Sequence, residues 1–150
     1  MEIELYDAQD DFVYSDTRFT AFIGGIGSGK TWAGCVKALL QCAKPGLGLV
    51  IAPTYKMLKD ATIRTFKDVA GDAWLDLNKA EMLANVGNAE VLFRSSDKPE
   101  RLRGPNLNWA YCDEAALSNE RTWQIVIGRL RAGGEAGPAW ITTTPKGRNW

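Results

Sequence analysis

Phe19-Thr20-Ala21-Phe22-Ile23-Gly24-Gly25-Ile26-Gly27-Ser28-Gly29-Lys30-Thr31 holds two signals back to back. The first five residues are aromatic and β-branched, a composition suited to a buried strand. The next eight fit G-x-x-x-x-G-K-[ST], the loop that binds nucleotide phosphates. Its glycines let successive N–H groups turn inward around phosphate oxygens. The Lys30 ammonium reaches toward the β- and γ-phosphates as a point charge, and the Thr31 hydroxyl is placed to ligate Mg²⁺. Beyond the loop, Trp32, Cys35, Val36, Leu39 and Leu40 recur at i, i+3, i+4, i+7 and i+8, one apolar helical stripe. The helix is expected from 29 to about 43, with Lys44 in its last turn and Pro45-Gly46 as the stop. An accidental glycine-rich turn would lack this order of strand, loop and helix.

Working outward, Leu47 to Ala52 reads as a second buried strand ended by Pro53, and 54–70 as a helix. Tyr55, Leu58, Thr62, Phe66 and Val69 fall roughly on one side of that helix, and Gly71 ends it. Segments 79–85 and 89–95 read as a hairpin around Val86-Gly87-Asn88. Leu107 to Cys112 is a strand running into Asp113-Glu114. Trp123, Val126, Ile127 and Leu130 mark an amphipathic helix over 119–132, and Ala139 to Thr143 is the last strand. A short helix or turn within 3–16 holds Gln9. Strands alternating with helices predict an α/β fold with a mostly parallel sheet.

The 150 residues suit one domain. A hydrophobic fraction of 45% and a charged fraction of 24% are those of a globular chain that needs no disulfide staple. No apolar run approaches a membrane span, and the acidic start Met1-Glu2-Ile3-Glu4 is not a secretory signal. The cysteines, Cys35, Cys42 and Cys112, have no metal-binding spacing and are expected to pack as small apolar residues in a reducing cytoplasm. Histidine is absent, which removes His-activated nucleophiles and His metal sites. With 18 basic and 18 acidic residues the net charge is zero, so composition does not announce a nucleic-acid partner.

Chemistry concentrates at the expected carboxyl ends of the strands, the ligand edge of a parallel sheet. Asp113 can hold Mg²⁺ opposite Thr31, and Glu114 can orient and polarise a water for attack on a γ-phosphate. Thr142-Thr143-Thr144-Pro145 closes another strand, where hydroxyls can bond the attacking water, the γ-phosphate or Glu114; taken alone, a β-rich threonine run before a proline turn is the favoured reading. Arg101 and Arg103 lie in the loop before the Asp-Glu strand. Either could offset charge on a transferring phosphoryl group, in cis or from a neighbouring subunit, or could simply belong to a solvated basic loop. Gln9 offers the donor and acceptor that an adenine edge takes, and a surface Gln in a turn is the competing reading. The candidate nucleotide-binding set is Gln9, Gly24, Gly25, Ile26, Gly27, Ser28, Gly29, Lys30, Thr31 and Trp32.

Together these segments resemble the ATPase domain of the large terminase subunit of tailed bacteriophages. The resemblance rests on the loop at 24–31, Arg101-Leu102-Arg103-Gly104, Tyr111-Cys112-Asp113-Glu114-Ala115 and Thr142-Thr143-Thr144-Pro145-Lys146-Gly147. It implies a three-layer P-loop NTPase of the additional-strand, catalytic-Glu type, with the Thr-Pro strand beside the loop strand. It also implies ATP and Mg²⁺ as cofactors and hydrolysis that packages double-stranded DNA into a procapsid. Site roles follow residue by residue: Lys30 and Thr31 on phosphate and Mg²⁺, Asp113 on the metal, Glu114 as catalytic base. Thr142, Thr143 and Thr144 would form the coupling motif, Gln9 would lie in the adenine segment, and Arg103 would be a finger on a neighbour's ATP. The implied partners are a homo-oligomeric ring, a portal protein and a small terminase subunit, in the host cytoplasm and without a membrane.

Two departures from the family pattern stand out. Ile26 occupies a place where many terminases carry a basic residue. The family also continues beyond the Thr-Pro motif into more sheet, a lid and an RNase H-like nuclease. Residues 1–150 are therefore expected to be a P-loop ATPase domain incomplete at its C-terminal end, with no nuclease. A helicase-like translocating ATPase and a fragment that binds nucleotide without turnover are the alternatives.

Overall fold

In the computed structural model, which describes residues 2–147, the strands are β1 (Phe19–Ile23), β2 (Leu47–Ala52), β3 (Trp74–Asn78), β4 (Leu83–Val86), β5 (Ala89–Ser95), β6 (Trp109–Asp113) and β7 (Ala139–Thr143). They form one sheet in the order β1-β7-β6-β2-β5-β4-β3. From β1 to β5 every pairing is parallel, and β4 and β3 add an antiparallel meander. The helices are α1 (Asp7–Tyr14), α2 (Lys30–Gln41), α3 (Tyr55–Met57), α4 (Arg64–Ala70) and α5 (Glu120–Arg129). Between α3 and α4, Leu58–Ile63 is wound as a π-helix, so 55–70 is one helical run with a widened middle.

The period of two along each strand sorts the core into two layers. Val50, Ala52, Tyr111 and Trp140 face α1, α2 and α4 with Phe12, Val36 and Phe66. Leu49, Ile51, Ala110, Cys112 and Ala139 face α5 with Ile125, Val126 and Leu130. The fold is thus the expected three-layer α/β sandwich, and β7 is the additional strand between β1 and β6.

Close approach of α2 to the sheet depends on Gly34, where a Cβ would stand 2.3 Å from the Tyr111 ring. Trp140 stacks at 6.0 Å on Tyr111 and donates from its indole N–H to the Gly34 carbonyl at 3.1 Å.

Three expectations need correction, and one strand is additional. Composition predicts a buried β1, yet it is an edge strand with Phe19 38% and Ile23 64% exposed. Its residues suit a buried strand, but its place at the end of the sheet leaves one long side uncovered. The hairpin's first arm is Leu83–Val86 rather than 79–85, because 79–82 is a turn in which Met82 takes a positive φ of 51°. β3 has no counterpart in the sequence reading: Asp76 and Asn78 break its apolar pattern, as suits the outer strand of a meander. The inner face of α5 carries Thr122, Ile125, Val126 and Arg129 instead of the stripe that includes Trp123 and Ile127. Trp123 packs edge-on against Phe19, ring centroids 5.6 Å apart.

Candidate nucleotide site

The loop after β1 is held at both ends. The Gly24 N–H donates to the Thr143 carbonyl at 3.0 Å, which ties the loop's entry to the end of β7. At its exit the Ala33 N–H donates to the Gly29 carbonyl at 2.9 Å, the first helical bond of α2. Gly27 and Gly29 have φ of 78° and 72°, the left-handed region that L side chains rarely enter. A Cβ on Gly29 would also fall 2.3 Å from Gln9 Nε2. Ile26, an apolar side chain, stands 96% exposed in the loop. Ser28 Oγ is buried with no hydrogen-bond partner.

Gln9 is buried and braces the loop from behind. Its amide donates to the Ser28 and Gly29 carbonyls at 3.3 and 3.4 Å, and its oxygen accepts from the Tyr6 N–H at 3.0 Å. Trp32 is half-buried and packs against the core on the α2 side of the sheet.

At the end of β6, Asp113 pairs in register with Thr142 of β7, which turns both side chains to the α2 face. Asp113 is buried and accepts from three hydroxyls. Thr31 lies 3.1 and 3.3 Å from its two oxygens, Thr142 lies 2.8 Å from Oδ1, and Thr62 lies 2.7 Å from Oδ2. The Glu114 N–H adds a fourth donor at 3.1 Å. Tyr111 OH is 2.8 Å from Thr142 Oγ1. Since the Thr142 proton goes to Asp113, the tyrosine is the donor in that pair. Burial first, then the charge of Asp113, pushes the Tyr111 hydroxyl and the Cys35 thiol well above their usual ranges.

Glu114 leaves the strand in a left-handed conformation, φ 50° and ψ 46°. Its Oε1 lies 3.1 Å from Lys30 Nζ, both side chains being mostly buried. The arrangement therefore sets two acidic residues on two jobs: Asp113 on the Thr31 hydroxyl and Glu114 on the Lys30 ammonium.

The threonines expected to couple divide their work. Thr142 serves Asp113; Thr143 accepts from the Ala116 N–H at 3.0 Å and donates to the Thr144 carbonyl. Their hydrogen bonds thus go to Asp113 and to the segment after Glu114. Arg103 is not brought to this cluster. It forms an exposed ion pair with Glu100 at 2.8 Å, and Arg121 holds the other oxygen of the same carboxylate at 3.0 Å. Those two guanidiniums, by hydrogen bond and charge, pull the Glu100 carboxyl below its usual range.

Two residues of the site give no signal in the sequence. Thr62 has only the spacing of an inward-facing helical position. Lys37, on α2, is buried and donates to the carbonyls of Phe12, Val13 and Ser15 at 3.0, 3.2 and 2.9 Å. It thereby caps α1, the helix that carries Gln9.

The residues present fit Mg²⁺. Among the described residues no three His, Cys, Asp or Glu side chains gather into a metal cage. Mg²⁺ does not need one: it takes one or two protein oxygens and fills the rest of its shell with phosphate and water. Asp113 is a buried carboxylate whose partners are hydroxyls and an amide, and among the described residues it forms no ion pair.

A family model described as "Terminase large subunit, T4likevirus-type, N-terminal" matches residues 21–150. The chain is 30% identical over 149 residues to the terminase large subunit of Thermus virus P23-45, covering 84% of this chain and 30% of that protein. It thus spans about 30% of the length of that curated relative. Its structure superposes on the large terminase ATPase domain of Thermus phage P74-26 with a TM-score of 0.79 at 27% identity, covering 98% of this chain and 67% of that one. The large terminase of another thermophilic bacteriophage, in complex with ADP, has the same fold, with a TM-score of 0.80 at 15% identity over 93% of this chain and 39% of that one.

Proposed function

Because the chain belongs to the terminase large-subunit family through the N-terminal domain matched at 21–150, we propose that it carries the Mg²⁺-dependent ATPase that drives double-stranded DNA into a viral procapsid. One observation supports this above the rest. Lys30 and Thr31 of the phosphate loop each meet one carboxylate of the Asp113-Glu114 pair, at 3.1 Å. A site that only held a nucleotide would need the loop and not Glu114.

In this reading the loop amides and Lys30 bind the β- and γ-phosphates. Thr31 and Asp113 would hold Mg²⁺, which supplies charge neutralisation on the phosphate oxygens. ATP binding separates Lys30 from Glu114 and frees the glutamate. Glu114 then orients a water in line with the γ-phosphorus and accepts its proton as the new P–O bond forms. The bond from phosphorus to the β-phosphate oxygen breaks, which yields ADP and phosphate. Gln9 is the adenine candidate; in that role its amide would release Ser28 and Gly29, so base recognition would alter the loop's support. Thr142, Thr143 and Thr144 would relay the state of the site, and Arg103 would act on the ATP of a neighbouring subunit in a ring. A portal protein and a small terminase subunit would be the further partners, and the host cytoplasm the place of action.

Glu114→Gln tests the assignment. The variant should bind ATP as well as the parent, while phosphate release falls by about 10²–10⁴-fold. Normal turnover in that variant would remove Glu114 from the chemistry and overturn this reading.

A further inference from the structure

Among the described residues, Thr62 is the one side-chain donor to Asp113 that comes from outside the loop helix and the central strands. It lies in the π-wound stretch Leu58–Ile63. A π-turn carries an extra residue, disrupts the regular i to i−4 ladder and occurs often at functional sites. Here the widened turn buries Thr62 and Ile63 side by side. The Thr62 carbonyl still finds a weak donor, Cys35 Sγ at 3.9 Å on α2. The Thr62 hydroxyl lies closer to Asp113 than any of the carboxylate's other partners, 2.7 Å from Oδ2 and 1% exposed. Thr142 meanwhile holds Oδ1. With one hydroxyl on each oxygen, rotation of the carboxylate about its χ angles breaks at least one buried bond. The Thr31 hydroxyl then meets a carboxylate already aimed at it.

We propose that Thr62 is a positioning residue for the metal-holding carboxylate: its hydroxyl, delivered by the π-turn, fixes Asp113 in the orientation that shares Mg²⁺ with Thr31. This rests on the ATPase reading above. Partners that orient a metal ligand commonly change metal affinity by 10–100-fold when removed. The effect belongs on the metal and not on nucleotide affinity without metal.

The test uses the full-length protein and Thr62→Val, which keeps the shape and loses the hydroxyl, beside Thr62→Ser, which keeps the donor. Binding of a fluorescent ADP analogue is titrated with and without Mg²⁺, and Mn²⁺ bound with the nucleotide is counted by electron paramagnetic resonance. Thr62→Val should bind metal-free nucleotide normally, need about 10–100-fold more Mg²⁺ to reach the tight complex, and hold Mn²⁺ correspondingly more weakly. Thr62→Ser should recover most of the loss. An unchanged metal requirement in Thr62→Val overturns the proposal. So does loss of folded circular dichroism in both Thr62→Val and Thr62→Ala, since the hydroxyl would then serve the fold and not the carboxylate's aim. Failure of the parent protein itself to bind Mg²⁺-nucleotide would instead sink the ATPase reading.

Discussion

Arg103 and Thr62 show how differently two site candidates can be held. Arg103 keeps its guanidinium in solvent, tied among the described residues to the exposed Glu100. Pairs of this kind contribute little to stability. Arg103→Ala is therefore expected to leave the stability to denaturant within about 0.5 kcal/mol of the parent. If it acts on a neighbour's ATP, turnover should fall in assembled protein and be unchanged in dilute monomer. Comparing ATPase rates across protein concentration checks this. Lys30, Thr31, Asp113 and Glu114 are legible in the sequence because each sits in a local backbone pattern whose spacing carries its chemistry. Thr62 and Lys37 are not. Their roles depend on which carboxylate or carbonyl the tertiary fold brings to them, and no spacing within 55–70 or 30–41 encodes that.

At the scale of elements, α2 is set by two contacts that a Cβ or a lost charge would disturb. Gly34→Ala would push a methyl into the fully buried Tyr111 ring, which is stacked on Trp140 and cannot swing away. Overpacking of this kind costs about 1–3 kcal/mol, read as a lower midpoint in urea. Because Tyr111 also supports Thr142, the Mg²⁺ requirement should rise with it. Lys37→Met removes a buried ammonium that serves three carbonyls at the end of α1. The loss is expected to be about 2–3 kcal/mol, with faster amide hydrogen exchange confined first to 7–15. Element types are mostly readable: the loop strand, its helix and the Asp-Glu strand fall where the periodicities put them. The inner face of α5 is not, because Arg129 is buried by donating to the Leu102 and Pro105 carbonyls, a use of arginine that hydrophobic patterning cannot register.

For the molecule as a whole, the cysteines set an upper pH limit. Burial pushes Cys42 and Cys112 from 9.0 to about 12. Unfolded thiols ionise near 9.0 and folded ones do not until about 12, so the unfolded chain releases protons first. Stability from this source is complete below 9.0 and is lost as pH climbs from there toward 12. Urea midpoints should therefore fall as pH rises through 9.0, and Cys42→Ala should flatten the slope. A flat profile in the parent would contradict the burial of these thiols. The sheet also has a mechanical consequence. β1, which launches the phosphate loop, and β6, which ends in Asp113 and Glu114, share no ladder. Both are bonded to β7, through five and four register pairs. Sliding one against the other would shear both ladders at once, so the distance between loop and carboxylates is close to a fixed length. In the proposed motor the strands between loop and carboxylates would be the stationary frame, and movement would have to leave through the turn after Glu114.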